Sequence, residues 1–300
     1  MTVLESGAAL SPRAVSLAVS RLGAYVALTL VLLPFQLAGM LACPPLARAV
    51  PLLHHRVGAR ILGLDIRTEG RREDHGATLY VANHVSYYDI VVLGALLPGR
   101  FVAKREVSGW PGFAQLAWLT RTVYIDRRTR GARSEIDHLR TVLARGDRLI
   151  VFPEGTSSDG VRVLPFKSTL FASVAGANVC VQPVSVRYTR LGDCPISHVD
   201  RPLCAWYGDM DLMPHLWRSL MQDRIGVTIR FHPAIAADRV ADRKELARLA
   251  RAPIASDLGA RAPDLTPDRV VLVWQGGRVS GDRRHTMPAQ PADRTTIGER

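Results

Sequence analysis

The apolar run Thr78-Leu79-Tyr80-Val81-Ala82 passes directly into the polar turn Asn83-His84-Val85-Ser86-Tyr87-Tyr88-Asp89. A run this short, bounded by polar residues, predicts a buried strand. His84 then lies at the carboxyl end of the strand, where open α/β sheets hold their ligands. A neutral imidazole accepts a proton near pH 7, and a carboxylate on its other nitrogen fixes the tautomer. We therefore predict that His84 is a general base and that Asp89 orients it.

A second polar turn, Phe152-Pro153-Glu154-Gly155-Thr156-Ser157-Ser158, follows the apolar run Leu149–Phe152. Glu154 offers an acceptor for a substrate amine or hydroxyl, Gly155 allows close backbone approach, and Thr156 offers a hydroxyl donor. The alternative is an ordinary strand-to-helix loop with a capping threonine. A His–Asp pair five residues apart also occurs by chance, but two polar turns at neighbouring strand ends favour a catalytic site.

Short apolar runs and helical patterns alternate along the chain, which predicts an α/β fold with a mixed sheet flanked by helices. The predicted strands are Thr78–Ala82, Phe101–Ala103, Thr122–Ile125, Leu149–Phe152, Val179–Val186, Cys204–Tyr207 and Val227–Phe231. The predicted helices are Tyr88–Leu97, Gly131–Leu143, Ser168–Ala175, Leu212–Met221 and Arg243–Arg251.

The segment Leu22–Ala47 has 26 residues and no charge. As a helix it would be roughly 39 Å long, which exceeds the ~30 Å hydrocarbon core of a bilayer. It predicts a retained membrane anchor, because a cleaved signal peptide would be shorter and Cys43-Pro44-Pro45 is a poor cleavage site. Pro34 permits a bent, re-entrant helix as well as a spanning one. Basic residues on both flanks favour neither orientation: Arg13, Arg21, Arg48, Arg56 and Arg60.

After this anchor, apolar residues recur at helical spacing at Leu46, Val50, Leu53, Val57, Ile61 and Leu64. With three arginines between them, they predict a basic amphipathic helix on the membrane surface, and the alternative is a packed surface helix. The chain from Gly276 onward has almost no large apolar residues and predicts a disordered tail. We therefore expect an anchor and basic helix over residues 1–64, a catalytic domain over 65–275 and a tail over 276–300.

The net charge of +12 and the sequence pI of about 10.3 indicate attraction to an anionic partner. The arginines are scattered and no nucleic-acid-binding motif is present, so we expect no nucleic-acid partner. The cysteines Cys43, Cys180, Cys194 and Cys204 form no C-x-x-C pair, which leaves a zinc site or a disulfide framework unsupported. We predict no metal.

Two further segments complete a pattern with the two polar turns. They are Thr122-Val123-Tyr124-Ile125-Asp126-Arg127 and Val181-Gln182-Pro183-Val184-Ser185-Val186. The four segments, in this order, resemble the glycerolipid acyltransferase superfamily, which includes bacterial lysophosphatidate acyltransferases. The likeness covers roughly Leu79 to Val186. It implies an α/β fold with an N-terminal membrane-binding helical segment, which agrees with the anchor.

Carried over residue by residue, the resemblance implies that His84 is the base and Asp89 its partner, with Asn83 and Ser86 flanking them. The residues that it implies for binding the acceptor are Lys104, Arg127, Glu154, Gly155 and Thr156. Pro183 matches a block linked to the acyl side or to the shape of the fold. Solvated surface charge is the alternative interpretation of Lys104 and Arg127.

One position departs from the family pattern. Many members carry an arginine after Glu-Gly-Thr, where it pairs with a phosphate, and here that residue is Ser157. The runs Ser157–Ser168 and Ala205–Met210 are similar to the subgroup that includes lyso-ornithine lipid acyltransferases, whose acceptors carry an amino-acid head group. We expect lyso-ornithine lipid as the acceptor, with 1-acylglycerol-3-phosphate (lysophosphatidate) as the alternative or as a second substrate.

The resemblance implies transfer of a fatty acyl group from acyl carrier protein or coenzyme A to a hydroxyl of a lyso-lipid, without a bound cofactor. The expected partners are membrane lipids and the thioester carrier, at a bacterial-type inner (cytoplasmic) membrane with the active site facing the cytoplasm. A serine hydrolase acting through Ser86 or Ser157 is a competing class, against which the missing G-x-S-x-G motif counts. A non-catalytic lipid carrier is a third.

Overall fold

Within residues 11–74, 76–110, 112–125 and 132–260, which this computed structural model describes, nine strands form one mixed sheet. The strands are β1 (Leu64–Glu69), β2 (Thr78–Ala82), β3 (Arg100–Lys104), β4 (Val123–Ile125), β5 (Arg148–Val151), β6 (Cys180–Leu191), β7 (Cys194–Pro195), β8 (Ile225–Phe231) and β9 (Ile235–Ala236). Their order is β1-β8-β6-β2-β5-β3-β4, with β7 and β9 paired to β6. Strands β2 to β6 run parallel and β8 runs antiparallel to β6, so the predicted mixed sheet is confirmed.

The helices are α1 (Pro12–Ala42), α2 (Pro44–Ile61), α3 (Tyr88–Leu96), α4 (Phe113–Leu119), α5 (Ala132–Ala144), α6 (Leu212–Leu220) and α7 (Arg243–Ala260). Short 3₁₀ helices occur at Arg105–Gly109, Leu170–Ser173, Arg201–Leu203 and Ala237–Arg239. Every described residue lies in one compact unit. The predicted tail, 276–300, and the predicted site residue Arg127 lie outside the described residues.

Strand β2 lies at the centre of the sheet, between β5 and β6. All five of its residues are buried, because both faces of the sheet are covered. Tyr80 and Ala82 pack into the core beneath α3, whereas Leu79 and Val81 pack into the core beneath α5 and α7. Burial on both faces explains why the sequence of this strand is continuously apolar rather than alternating.

Two predicted elements are wrong. Cys204–Tyr207 is not a strand, because its backbone bonds elsewhere: the N–H of Trp206 donates to the carbonyl of Val85 at 3.0 Å. The predicted helix Ser168–Ala175 contains only the 3₁₀ turn Leu170–Ser173. Strand β1 and helix α4 were not predicted; β1 pairs with β8 alone, and charged residues alternate with its apolar ones.

The predicted anchor Leu22–Ala47 is divided between α1 and α2 at Cys43. The two helices approach closely at this junction, where a Cβ on Gly39 would lie 2.6 Å from the backbone nitrogen of Ala47. Helix α1 is the one helix in the described part of the chain that is long and apolar enough to cross a bilayer. Most of its large apolar side chains are exposed, including Leu30, Val31 and Leu41.

Helix α2 confirms the predicted helix, whereas its place on a membrane surface stays a prediction. Leu53 is 48% exposed, whereas His54 and His55 are buried. Leu64 belongs to β1 rather than to the helix. The helix packs against both α1 and α3.

Candidate active site

The structure brings His84 and Asp89 together at the carboxyl end of β2. The Nδ1 atom of His84 lies 2.8 Å from Oδ2 of Asp89. The turn that joins them leads into α3, and Asp89 lies in the first turn of that helix. The partial positive charge at a helix amino terminus favours a carboxylate there. The pair predicted from the sequence therefore exists as a hydrogen-bonded unit.

The surroundings of Asp89 decide which imidazole nitrogen carries the proton. Its carboxylate is fully buried, and Oδ2 also accepts hydrogen bonds from the backbone N–H groups of Val85 at 2.6 Å and Ser86 at 3.0 Å. A buried carboxylate with such donors acts as an acceptor, so Nδ1 of His84 is the protonated nitrogen. The Nε2 atom has no hydrogen-bond partner in the described part of the chain, and the ring is 20% exposed. His84 thus has a lone pair on Nε2 that is available to accept a proton.

The turn after β5 packs directly against His84. Register places Val81 of β2 opposite Val151 of β5, so both strands end at the same edge of the sheet. The Phe152 ring stacks on the imidazole with 4.1 Å between centroids. The backbone N–H of Ser158 donates to the His84 carbonyl at 2.9 Å. The second polar turn therefore forms one wall of the site and helps to hold the first.

Glu154 is buried and holds backbone rather than facing solvent. Its Oε1 accepts from the N–H of His84 and its Oε2 from the N–H of Leu164, each at 2.8 Å. Burial raises the pKa of Glu154 to about 6, although these two hydrogen bonds and the His84 ring act in the opposite direction. Gly155 follows with φ of +73°, a backbone conformation that favours glycine. The role of Glu154 in binding the substrate stays a prediction, since both oxygens already have partners within the protein.

The other residues predicted around the His84–Asp89 pair differ in position and in exposure. Thr156 is exposed beside it, and Ser157 is half-buried. Lys104 is exposed at the last position of β3, at the same edge of the sheet. Pro183 lies within β6, opposite Val81. The roles of these residues stay predictions, and the structure does not describe Arg127.

The two residues that flank the pair are both buried. Asn83 donates through Nδ2 to the Val186 carbonyl at 3.0 Å and accepts from the Val186 N–H at 2.8 Å, which ties the end of β2 to β6. Ser86 is fully buried, so its hydroxyl does not face the site as a hydrolase nucleophile would. In the described ranges, no group of three or more His, Cys, Asp or Glu side chains is arranged to hold a metal ion.

Sequence reasoning missed one polar residue of this centre. The hydroxyl of Tyr188, in β6, donates to Oδ1 of Asp89 at 2.7 Å. The signal was the period of two along β6: Val184, Val186 and Tyr188 lie on one face, so a polar group on that face at Tyr188 is buried near the site.

Comparison with known proteins identifies the family. A family model described as acyltransferase matches residues 64–187, which include both polar turns. The lyso-ornithine lipid O-acyltransferase of Brucella abortus is 42% identical over 233 residues, which cover 75% of this chain and 87% of that protein. The chain belongs to the acyltransferase family. It is an enzyme, and the predicted family is confirmed.

Further relatives agree with this assignment. The lyso-ornithine lipid O-acyltransferase of Rhizobium meliloti is 37% identical over 253 residues, covering 82% of this chain and 84% of that protein. A 1-acyl-sn-glycerol-3-phosphate acyltransferase of Neisseria gonorrhoeae is 31% identical over 201 residues, which cover 65% of this chain and 76% of that protein. The crystal structure of the 1-acyl-sn-glycerophosphate acyltransferase of Thermotoga maritima has a TM-score of 0.54 and 22% identity, and it covers 80% of this chain and 97% of that one. This last likeness shows the fold of the acyltransferase.

Proposed function

We propose that this acyltransferase moves a fatty acyl group from a thioester to the hydroxyl of a lyso-lipid, with lyso-ornithine lipid as its acceptor. The observation that carries the proposal is the buried Asp89–His84 hydrogen bond, which leaves Nε2 of His84 as a free base in a chain 42% identical to a lyso-ornithine lipid O-acyltransferase. The relatives named for 1-acyl-sn-glycerol-3-phosphate are less similar, at 31% and 36% identity over shorter stretches.

The proposed reaction is direct transfer. The acceptor hydroxyl gives its proton to Nε2 of His84 while its oxygen attacks the thioester carbonyl. The new C–O bond forms, the C–S bond breaks, and the imidazolium returns the proton to the departing thiolate. Asp89 stabilises the imidazolium in between. Because the thioester is already activated, positioning and proton transfer suffice, and we propose that the reaction needs no bound cofactor and that the thioester carrier is acyl carrier protein or coenzyme A.

An apolar cavity next to this centre supports a lipid substrate. It has a volume of 310 Å³ and lies between α1, α2, α3 and α4, with Tyr25, Tyr88 and Leu116 among its lining residues. Phe101 also lines it, and the Phe101 ring lies 6.3 Å from Phe152, which stacks on His84. We propose that an acyl chain enters this cavity, since its walls are almost wholly apolar and it begins one ring away from the base.

The sequence of the turn after β5 supports an acceptor whose head group carries no phosphate. Ser157 stands where many family members have an arginine, so this turn brings no guanidinium to a phosphomonoester. An amino-acid head group needs no such partner. Lys104 is a cation at the carboxyl end of β3, and we propose that it contacts the carboxylate of the ornithine head group.

We propose that α1 lies along the domain, with its outer face in the cytoplasmic leaflet of the inner membrane. Near one end, the Arg21 guanidinium donates to the carbonyl of Leu220 at 2.9 Å and also to those of Gln222 and Asp223. Near the other end, Gln36 donates to the carbonyl of Leu119. These contacts are 15 residues apart, or about 22 Å along the helix. A helix fastened to the domain over that length is not free to cross the bilayer alone.

The function is tested with the purified full-length chain in detergent micelles. Lyso-ornithine lipid and lysophosphatidate are offered in turn, with acyl carrier protein and coenzyme A thioesters as donors. We expect a higher kcat/KM with lyso-ornithine lipid, and a loss of about 10²- to 10⁴-fold in kcat for His84→Ala. An active His84→Ala variant would refute the mechanism. A wild type that strongly prefers lysophosphatidate would refute the acceptor, and a serine labelled by a fluorophosphonate probe would favour a hydrolase.

A further inference from the structure

The Asp89 carboxylate is held from both sides. Its Oδ2 receives the His84 ring and two backbone N–H groups, all of which belong to its own turn. In the described part of the chain, Oδ1 receives one donor, the hydroxyl of Tyr188 at 2.7 Å, from a strand 99 residues further along. This hydrogen bond is the only direct side-chain link between the catalytic pair and β6 among the described residues.

We propose that Tyr188 is a positioning residue of the catalytic pair: its hydroxyl holds the Asp89 carboxylate in the plane in which Oδ2 faces Nδ1 of His84. The proposal rests on the proposed function, in which His84 is the base. Tyr188 acts through Asp89 and not by direct contact with the substrate.

The donor role requires that the phenol keeps its proton, and its surroundings ensure this. Tyr188 is 7% exposed. Burial raises the pKa of Tyr188 well above its ordinary value, and the adjacent Asp89 charge raises it further, with smaller effects from Cys204 and Tyr88. Glu154 also interacts electrostatically with both Asp89 and His84. The phenol of Tyr188 therefore keeps its proton near neutral pH and can donate it to Asp89.

The contacts of strand β6 with β2 and β8 fix the position of this hydroxyl. Val186, two residues earlier, is joined to Asn83 by two hydrogen bonds, so the end of β2 cannot slide along β6. Residues two apart on a strand share a face, so the same face that carries Val186 brings Tyr188 to Asp89. The regular pairing of β6 with β8 shifts just after Tyr188, between this residue and Arg190. Strand β6 nevertheless pairs with β8 on both sides of Tyr188, at Val186 with Ile229 and at Arg190 with Gly226.

The direction in which removal of the Tyr188 hydroxyl shifts the pH dependence of kcat can be predicted. Without the donor, Oδ1 of Asp89 is a buried anionic oxygen with no partner, and its negative charge acts more strongly on the His84 ring. The imidazolium is then favoured over the neutral base. We expect the acid limb of the pH–kcat profile to move to higher pH in Tyr188→Phe, and we expect the carboxylate to be less well oriented.

The experiment compares Tyr188→Phe with Tyr80→Phe in the full chain. Tyr80 is a matched control because it is also buried, lies on the neighbouring strand β2, and donates its hydroxyl to the carbonyl of Glu73, away from the pair. For Tyr188→Phe we expect kcat to fall about tenfold or more with KM within about twofold, and the acid limb to rise by about 0.5 to 1 pH unit. Tyr80→Phe should leave both the profile and KM in place.

A double-mutant cycle with Asp89→Asn separates positioning from general stabilisation. If Tyr188 acts through the Asp89 charge, Tyr188→Phe should cost less than about threefold in kcat once that charge is gone. An equal cost in both backgrounds, or an unmoved acid limb, would overturn the proposal. Thermal unfolding in the same micelles verifies that each variant is folded. An active His84→Ala variant would instead overturn the proposed function, so the two failures are distinct.

Discussion

The backbone N–H of His84 donates to Oε1 of Glu154 at 2.8 Å, which joins the turn after β2 to the turn after β5. The other oxygen of the same carboxylate accepts from the N–H of Leu164, ten residues further on. One buried side chain thereby holds the backbone of His84, the proposed base, and closes its own loop. The two polar turns form one wall of the site, and Glu154 joins them together with Phe152 and Ser158.

Glu154→Gln should disturb the position of His84. A carboxamide offers one oxygen and one NH₂ group, so one of the two backbone N–H groups would face another donor. A buried donor without a partner costs about 1–3 kcal/mol, and we expect kcat to fall about tenfold or more. The assay is acyl transfer with saturating substrates. Glu245→Gln, on the exposed surface of α7, is the control. Wild-type activity in Glu154→Gln would show that the base is held without this contact.

The raised pKa of Glu154 also predicts how stability depends on pH. The folded chain binds this proton more tightly than the unfolded chain does, with a pKa of about 6 against an ordinary value of 4.5. The resulting stabilisation is fully present below the unfolded value and is lost as pH rises through the folded value, a change of about 2 kcal/mol. The unfolding free energy of the wild type minus that of Glu154→Gln should fall by this amount across that window. Denaturant titrations at a series of pH values measure it, and a constant difference would contradict the raised pKa.

The outer face of α1 should govern membrane binding. Val31 is 63% exposed and Leu41 is 88% exposed. Asp substitutions at both positions place charge on the face proposed to enter lipid, where a charge costs several kcal/mol. We expect the double variant to lose flotation with phospholipid vesicles but to keep acyl transfer in micelles. Val199→Asp is the control, because Val199 is equally exposed on the catalytic domain. Undiminished flotation of the double variant would place the membrane contact elsewhere.

The cavity beside Phe101 should limit the length of the acyl chain. Ala117 of α4 lines it, and Ala117→Phe would fill part of its 310 Å³. Because each buried methylene contributes about 0.8 kcal/mol, we expect at least a tenfold loss of kcat/KM for a hexadecanoyl donor and about a twofold change or less for an octanoyl donor. Ala144→Phe, at an exposed position of α5, should change neither. Equal losses of kcat/KM for both donors would show that the acyl chain does not occupy the cavity.

Ser157→Arg should shift the acceptor preference. A guanidinium in the turn after β5 offers a charge-assisted contact to a phosphate, which is worth about 1.5–3 kcal/mol or about 10- to 150-fold. It offers little to an ornithine head group, whose amine it would repel. The kcat/KM ratio of lysophosphatidate to lyso-ornithine lipid should therefore rise. Ser157→Gln provides a control of similar length without the charge, and an unchanged ratio in both variants would show that this position does not contact the head group.

Local patterns were sufficient for much of the catalytic centre. The apolar run of β2, the polar turn and the start of α3 follow one another within a few residues, so the sequence alone predicts both the strand end and the meeting of His84 with Asp89. The α/β class follows in the same way, because strand and helix periods are properties of short segments. The apolar stretch of α1 is equally local.

Other features depend on how distant segments pack. The order of β5, β2 and β6 in the sheet decides which oxygen of Asp89 accepts from Tyr188. The same order decides which backbone groups Glu154 holds. The failed strand Cys204–Tyr207 shows the same dependence, since its backbone bonds to the His84 turn rather than to a neighbouring strand. The hydrogen bonds from His84 to Glu154, from Tyr188 to Asp89 and from Trp206 to Val85 join residues 70, 99 and 121 positions apart in the chain. The period of two along β6 indicates that Tyr188 is buried on the face of the site. Sequence spacing does not show which residue it bonds, because that geometry exists only after the sheet has formed.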